Sequence, residues 1–111
     1  MRRAMKTNIL VACFVLAMAG PAFASSGDAA AGKKKSEPCK ACHGEAGISA
    51  SPEFPNLAGQ HADYLAASLR HYQEGKRTNA IMKGMAANLS KKDINDLAAY
   101  YSKQPGLVLK Y

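Results

Sequence analysis

Cys39-Lys40-Ala41-Cys42-His43 constrains this 111-residue chain more than any other stretch. Residues three apart share one side of a helical turn, so both thiols can reach one flat ligand. Two thiols so placed can each form a thioether with a vinyl group of haem. The histidine that follows then lies under the iron and offers it a ring nitrogen. Zinc would need two more ligands, and His61 and His71 have no usual zinc spacing. A thioredoxin-like redox pair would need a βαβ surround that the sequence does not show. A plain disulfide would leave His43 without a role. The motif therefore predicts one covalently bound haem c on Cys39 and Cys42, with His43 as an axial iron ligand.

The first residues read as an export leader. Arg2, Arg3 and Lys6 precede an apolar run over 9–20, and Pro21-Ala22-Phe23-Ala24 offers small residues for cleavage. The run is shorter than the roughly 20 residues a membrane span needs, so no span is expected after cleavage. A short retained anchor is the alternative. Leu10-Val11-Ala12-Cys13 resembles a lipidation box, but most of the apolar run follows the cysteine instead of preceding it. Residues 1–24 are thus expected to be a secretory signal peptide and 25–111 a single domain. Removing the leader leaves 12 basic against 8 acidic side chains, a balance of +4. That is too mild to argue for nucleic acid. A domain this small buries a modest core and gains from a covalent staple.

Helical punctuation recurs along the rest of the chain. Asp28 is placed to cap a helix over 29–36 that ends before Pro38. A Gly- and Pro-rich loop spans 44–59. A second helix fits 62–74, with Tyr64, Leu65, Leu69 and Tyr72 expected on one face and Gly75 as its stop. Ser90 and Asp93 form a capping box for a third helix, in which Ile94, Leu97, Ala98 and Tyr101 recur until Pro105. No stretch alternates as a strand does. The fold class expected is all-α, with three or more short helices wrapped around the haem. Met82 and Met85, the two methionines beyond the leader, fall in what reads as a loop before the third helix. A thioether is a soft iron ligand, and one of the two is expected to be the second axial ligand. Met85 lies nearer the Ser90 cap and has less chain with which to reach across.

An early C-x-x-C-H motif and a methionine ahead of the last helix resemble the class I c-type cytochromes, especially small bacterial monohaem forms and single halves of dihaem forms. The similarity runs from Gly27 to about Gln104. It rests on 39–44, Phe54-Pro55-Asn56-Leu57-Ala58-Gly59-Gln60, Ile81-Met82-Lys83-Gly84-Met85 and the Leu89-to-Tyr101 stretch. The resemblance implies the small cytochrome c fold, with His43 as proximal and Met82 as distal ligand. It also implies that the Pro55 carbonyl accepts the His43 ring N–H and that Leu57 packs on the haem face. Gly32 would let the first and last helices cross near Tyr100 or Tyr101.

With both axial positions filled, the iron can only change oxidation state. The function expected is one-electron transfer between redox partners in the bacterial periplasm, without enzymatic activity. Two rivals are a haem subunit of a larger dehydrogenase or oxidase, and a peroxidase or sensor with an open sixth position. Lys40 and Lys83, with Lys33 to Lys35 and Lys91 to Lys92, could form a basic face for acidic redox partners, or be ordinary solvated surface. A monomer, or one that associates weakly, is expected. Arg77 could bind a haem propionate or face solvent, and His61 and His71 are read as solvent-facing.

Overall fold

The structure, a computed structural model, describes residues 27–106 and Gly20. The leader boundary at Ala24 and the tail after Gly106 lie outside the described residues. Five α-helices run in the order α1 (Ala29–Lys35), α2 (Lys40–His43), α3 (Ala62–Gln73), α4 (Ala80–Ala86) and α5 (Lys91–Ser102). Short 3-10 turns over Glu37–Cys39 and Glu45–Gly47 flank α2. The described residues contain no strand, and none of their helices is long and apolar enough to cross a membrane.

Most of these helices begin where a polar side chain satisfies exposed N–H groups. The Asp28 carboxylate accepts from the Ala30 and Ala31 amides. Ser90 and Asp93 close the expected capping box on α5. The methionine segment is where expectation and structure differ: Met82 and Met85 sit on α4, not in a loop. Its Gly84 and exposed side chains hide the helical period. Asn79 starts it, however, by accepting from the Met82 amide at 3.0 Å.

α5 is the spine. α1 packs along it most extensively and α3 crosses it, while α4 rests on α3. Ile94, Leu97, Ala98, Tyr100 and Tyr101 of α5 are buried with Leu65 and Ala66 of α3. Each large apolar side chain so buried contributes about 1.5–3 kcal/mol relative to exposure. The inward face of α3 is Ala62, Leu65, Ala66 and Leu69, the i, i+3, i+4, i+7 set. Tyr64 stands one position off that face and is 52% exposed, so the expected grouping with Leu65 does not form.

α1 can lie so close to α5 because Gly32 has no side chain. A Cβ there would come within 2.0 Å of the Asp96 carbonyl oxygen and 2.8 Å of the Tyr100 Cβ. Tyr100, not Tyr101, is therefore the aromatic at the crossing. Beside it, the buried Asp96 carboxylate accepts from the Asp28 amide at 2.8 Å and from Lys35 and Lys92 Nζ at 2.7 Å each. Lys35 also pairs with Asp93 at 2.8 Å. Lys35, then Lys92 and the Asp28 amide, hold the Asp96 carboxyl well below the usual carboxylate range. Lys35 and the Ser90 cap lower Asp93 to about 2.

Both carboxylates are depressed in the folded state, so their contribution is complete above the unfolded pKa near 4 and is lost as pH falls toward 2. Melting temperature should therefore be flat around neutral pH and drop between about pH 4 and pH 2. Asp96→Asn should lower it at neutral pH and make the acid drop shallower. Identical acid slopes in scans of the two haem-loaded proteins would contradict this.

Candidate haem site

The site starts at the end of α2. Gly44, at φ +79°, turns the chain sharply after His43 in a backbone region that side chains rarely adopt. The loop that follows folds back on itself. Leu57 and Ala58 amides donate to the Gly47 carbonyl at 2.8 and 3.1 Å. The Ser49 amide donates to the Asn56 side chain at 2.6 Å, and the Ser49 hydroxyl to the Cys42 carbonyl at 3.2 Å. These bonds set the Pro55 carbonyl 2.8 Å from His43 Nδ1.

A carbonyl oxygen can only accept, so Nδ1 carries a ring proton, and in the neutral imidazole Nε2 then keeps its lone pair. His43 is 6% exposed. A buried imidazole with one nitrogen fixed and the other a bare donor is a prepared metal ligand.

Cys39 and Cys42 are free thiols and half-buried. Cys39 packs against the core, as does Leu57. Burial pushes the Cys39 thiol above its ordinary pKa. Next to Cys39 and Ser36 lies the Tyr101 hydroxyl, whose pKa burial also raises. This hydroxyl is buried and completes no hydrogen bond. An orphaned polar atom of this kind is expected where a bound group or water is to complete the site. Among the described residues no group of three or more His, Cys, Asp or Glu converges as a metal cage. Two thiols and one imidazole on adjacent turns suit a covalently held haem instead.

The other candidates are placed differently from one another. Met82 is half-buried, whereas Met85 is 42% exposed. Arg77 is half-buried beside two tyrosines of α3. It donates to the Tyr64 hydroxyl at 2.8 Å and lies over the Tyr64 and Tyr72 rings, 5.6 and 5.5 Å from their centroids. That clamp explains why Tyr64 stays outside the core. His61 is exposed at the start of α3, and His71 is half-buried.

The basic face is less basic than its sequence. Lys40 pairs with Glu37 at 2.7 Å and with Glu45 at 3.4 Å. Lys35 and Lys92 serve Asp96. Lys33, Lys34, Lys83 and Lys91 are exposed. Sequence reasoning missed Asp96 as the buried acceptor, Asn56 as the loop brace and Gln73 as a link to α4. Only Asn79, an N-cap residue type before an apolar pair, carried a local signal.

An all-helical domain carrying a thiol pair and a prepared histidine is a covalent haem carrier in design. The cytochrome c family model matches residues 29–104, and the chain belongs to that family of haem-binding electron carriers. Haem c is attached in this family through a Cys-x-x-Cys pair, which Cys39 and Cys42 supply. The chain is 50% identical over 82 residues to cytochrome c-554(548) of Halomonas halodenitrificans, covering 71% of this chain and 99% of that protein. It is 48% identical over 80 residues to cytochrome c4 of Pseudomonas aeruginosa, covering 72% of this chain but only 40% of the relative. Among solved structures, cytochrome c4 of Acidithiobacillus ferrooxidans superposes with a TM-score of 0.63 at 35% identity, covering 67% of this chain and 48% of that one. The chain thus spans under half the length of these two cytochromes c4 and nearly all of cytochrome c-554(548).

Proposed function

We propose that this protein is an exported, single-haem, one-electron carrier whose iron is held between His43 Nε2 and the Met82 thioether. The observation that carries the reading is the 2.8 Å bond from His43 Nδ1 to the Pro55 carbonyl. It leaves Nε2 bare, raises ligand basicity and fixes the ring plane. Bound haem would supply the one-electron couple. The chain's own residues would orient the imidazole, exclude water behind it and present the thioether.

Met82 is preferred over Met85 because it is the half-buried member of the pair, and because it occupies the ligand position in the resemblance. Met85, exposed and flexible, is then a packing residue at the rim. Pro55 acts through its carbonyl, and Leu57 would line the haem face. Export through the 1–24 leader would place the mature 25–111 domain in the periplasm, as a monomer or weakly associating protein.

Partner recognition is proposed to rest on few charges. Lys83 on α4 is exposed, next to the proposed ligand, and would steer acidic redox partners. Lys40, compensated by two glutamates, would contribute little.

Met82→Ala should abolish the sulfur-to-iron charge-transfer band of the oxidised protein, lower the potential and admit cyanide. Met85→Ala should keep the band. Optical spectra decide the matter: the reverse pattern moves the ligand to Met85, and absence of the band from the unmutated oxidised protein excludes methionine ligation. Oxidation by an acidic redox partner should slow as salt rises, because steering is screened beyond about 8 Å at physiological ionic strength. In stopped-flow at low salt, Lys83→Glu should slow it about tenfold and Lys40→Glu by less than about threefold. Equal slowing at the two positions would remove Lys83 as a localised docking charge.

A further inference from the structure

α4 is a poor helix by itself. It has seven residues, Gly84 lies within it, and Ile81, Lys83 and Met85 are exposed. An isolated helix of this length is far below the size that is stable in water. Its substantial packing is against α3 alone, and Ala86 is its one fully buried side chain. Asn79 secures its start. The far end follows a different device. Ala87 closes α4 in ordinary helical geometry, with no glycine turn to gather the last carbonyls.

One of those carbonyls, that of Ala86, is held from outside together with the Leu89 carbonyl beyond the helix. Gln73, the last residue of α3, sends its side-chain amide nitrogen to the Ala86 and Leu89 carbonyl oxygens, both at 2.8 Å. Both partners only accept, so the amide must present its nitrogen, and each N–H finds one carbonyl. The Leu89 amide also donates to the Ala86 carbonyl at 3.1 Å. One side chain therefore joins α3, the end of α4 and the entry to α5.

We propose that Gln73 is the positioning residue for the iron's methionine. By pinning the α4–α5 junction to α3, it keeps the Met82 thioether from leaving the iron. This rests on the reading of Met82 as ligand. Gln73 would act through the Ala86 and Leu89 carbonyls that it holds. Its side chain is solvent-exposed, so replacing it leaves the core intact. What it controls is the rate at which α4 lifts away and opens the sixth position.

The experiment uses the haem-loaded oxidised protein with imidazole as the competing ligand. The rate of imidazole entry at saturating concentration reports thioether release. Gln73→Leu and Gln73→Glu both remove the two donors, and each should accelerate entry about tenfold, the size expected for one to two net hydrogen bonds. The melting temperature should shift by only a few degrees. Gln73→Lys returns donors to the same place and should restore the rate to within about threefold of wild type. Wild-type imidazole entry in both donor-free variants, with the charge-transfer band lost in Met82→Ala, would overturn the positioning role alone. Survival of the band in Met82→Ala would overturn this role together with the ligand assignment. Acceleration that Gln73→Lys does not reverse would also overturn it, since the effect would then not depend on donation.

Discussion

The bond from His43 Nδ1 to the Pro55 carbonyl is the contact on which the site depends. Imidazole can place its proton on either nitrogen, and only one choice leaves Nε2 able to bind a metal. The choice is made twelve residues away, by a carbonyl that cannot donate. The backbone from Gly44 to Ala58 exists to hold that carbonyl still. Gly44 bends the chain, Gly47 offers its carbonyl to two amides, and Asn56 fastens the Ser49 amide. The Gly47 position also admits the Tyr101 ring, which would lie 2.8 Å from a Cβ there. The loop is thereby tied to α5 as well as to the histidine.

The structure divides its labour between two ends. At one end, the α1–α5 crossing supplies rigidity through the side-chain-free Gly32 and the buried Asp96. A buried carboxylate costs desolvation unless it is fully paired, and Asp96 is paired three ways. At the other end, α4 is thin, exposed and held by two side-chain amides, Asn79 and Gln73. A carrier of single electrons benefits from little rearrangement around its metal. The proposed ligand helix is fastened by those two amides and by its packing on α3.

Much of this was legible in the sequence, because the signals were local. Asp28, Ser90 and Asp93 announced helix starts, and the apolar positions of α5 matched the core that formed. Cys39, Cys42 and His43 announced the cofactor through spacing alone. The α4 helix was not legible, since Gly84 and the exposed Ile81, Lys83 and Met85 give no apolar stripe. The charges misled for a related reason. Lys35, Lys40 and Lys92 read as surface basicity, but their partners are set by tertiary contact or by helix register. Tyr64 looked like core and is instead half of the clamp around Arg77. For Lys35 and Tyr64 the deciding neighbour lay outside the local pattern.

The central claim is that the Pro55 carbonyl fixes the His43 proton on Nδ1 so that Nε2 takes the iron. Nitrogen-15 NMR of the reduced, haem-loaded protein with labelled histidine reads this directly. The account predicts a proton coupled to His43 Nδ1 and protected from exchange by the Pro55 bond, with Nε2 bearing none and shifted by iron. A His43 signal with the proton on Nε2, or an Nε2 shift equal to those of His61 and His71, would contradict it.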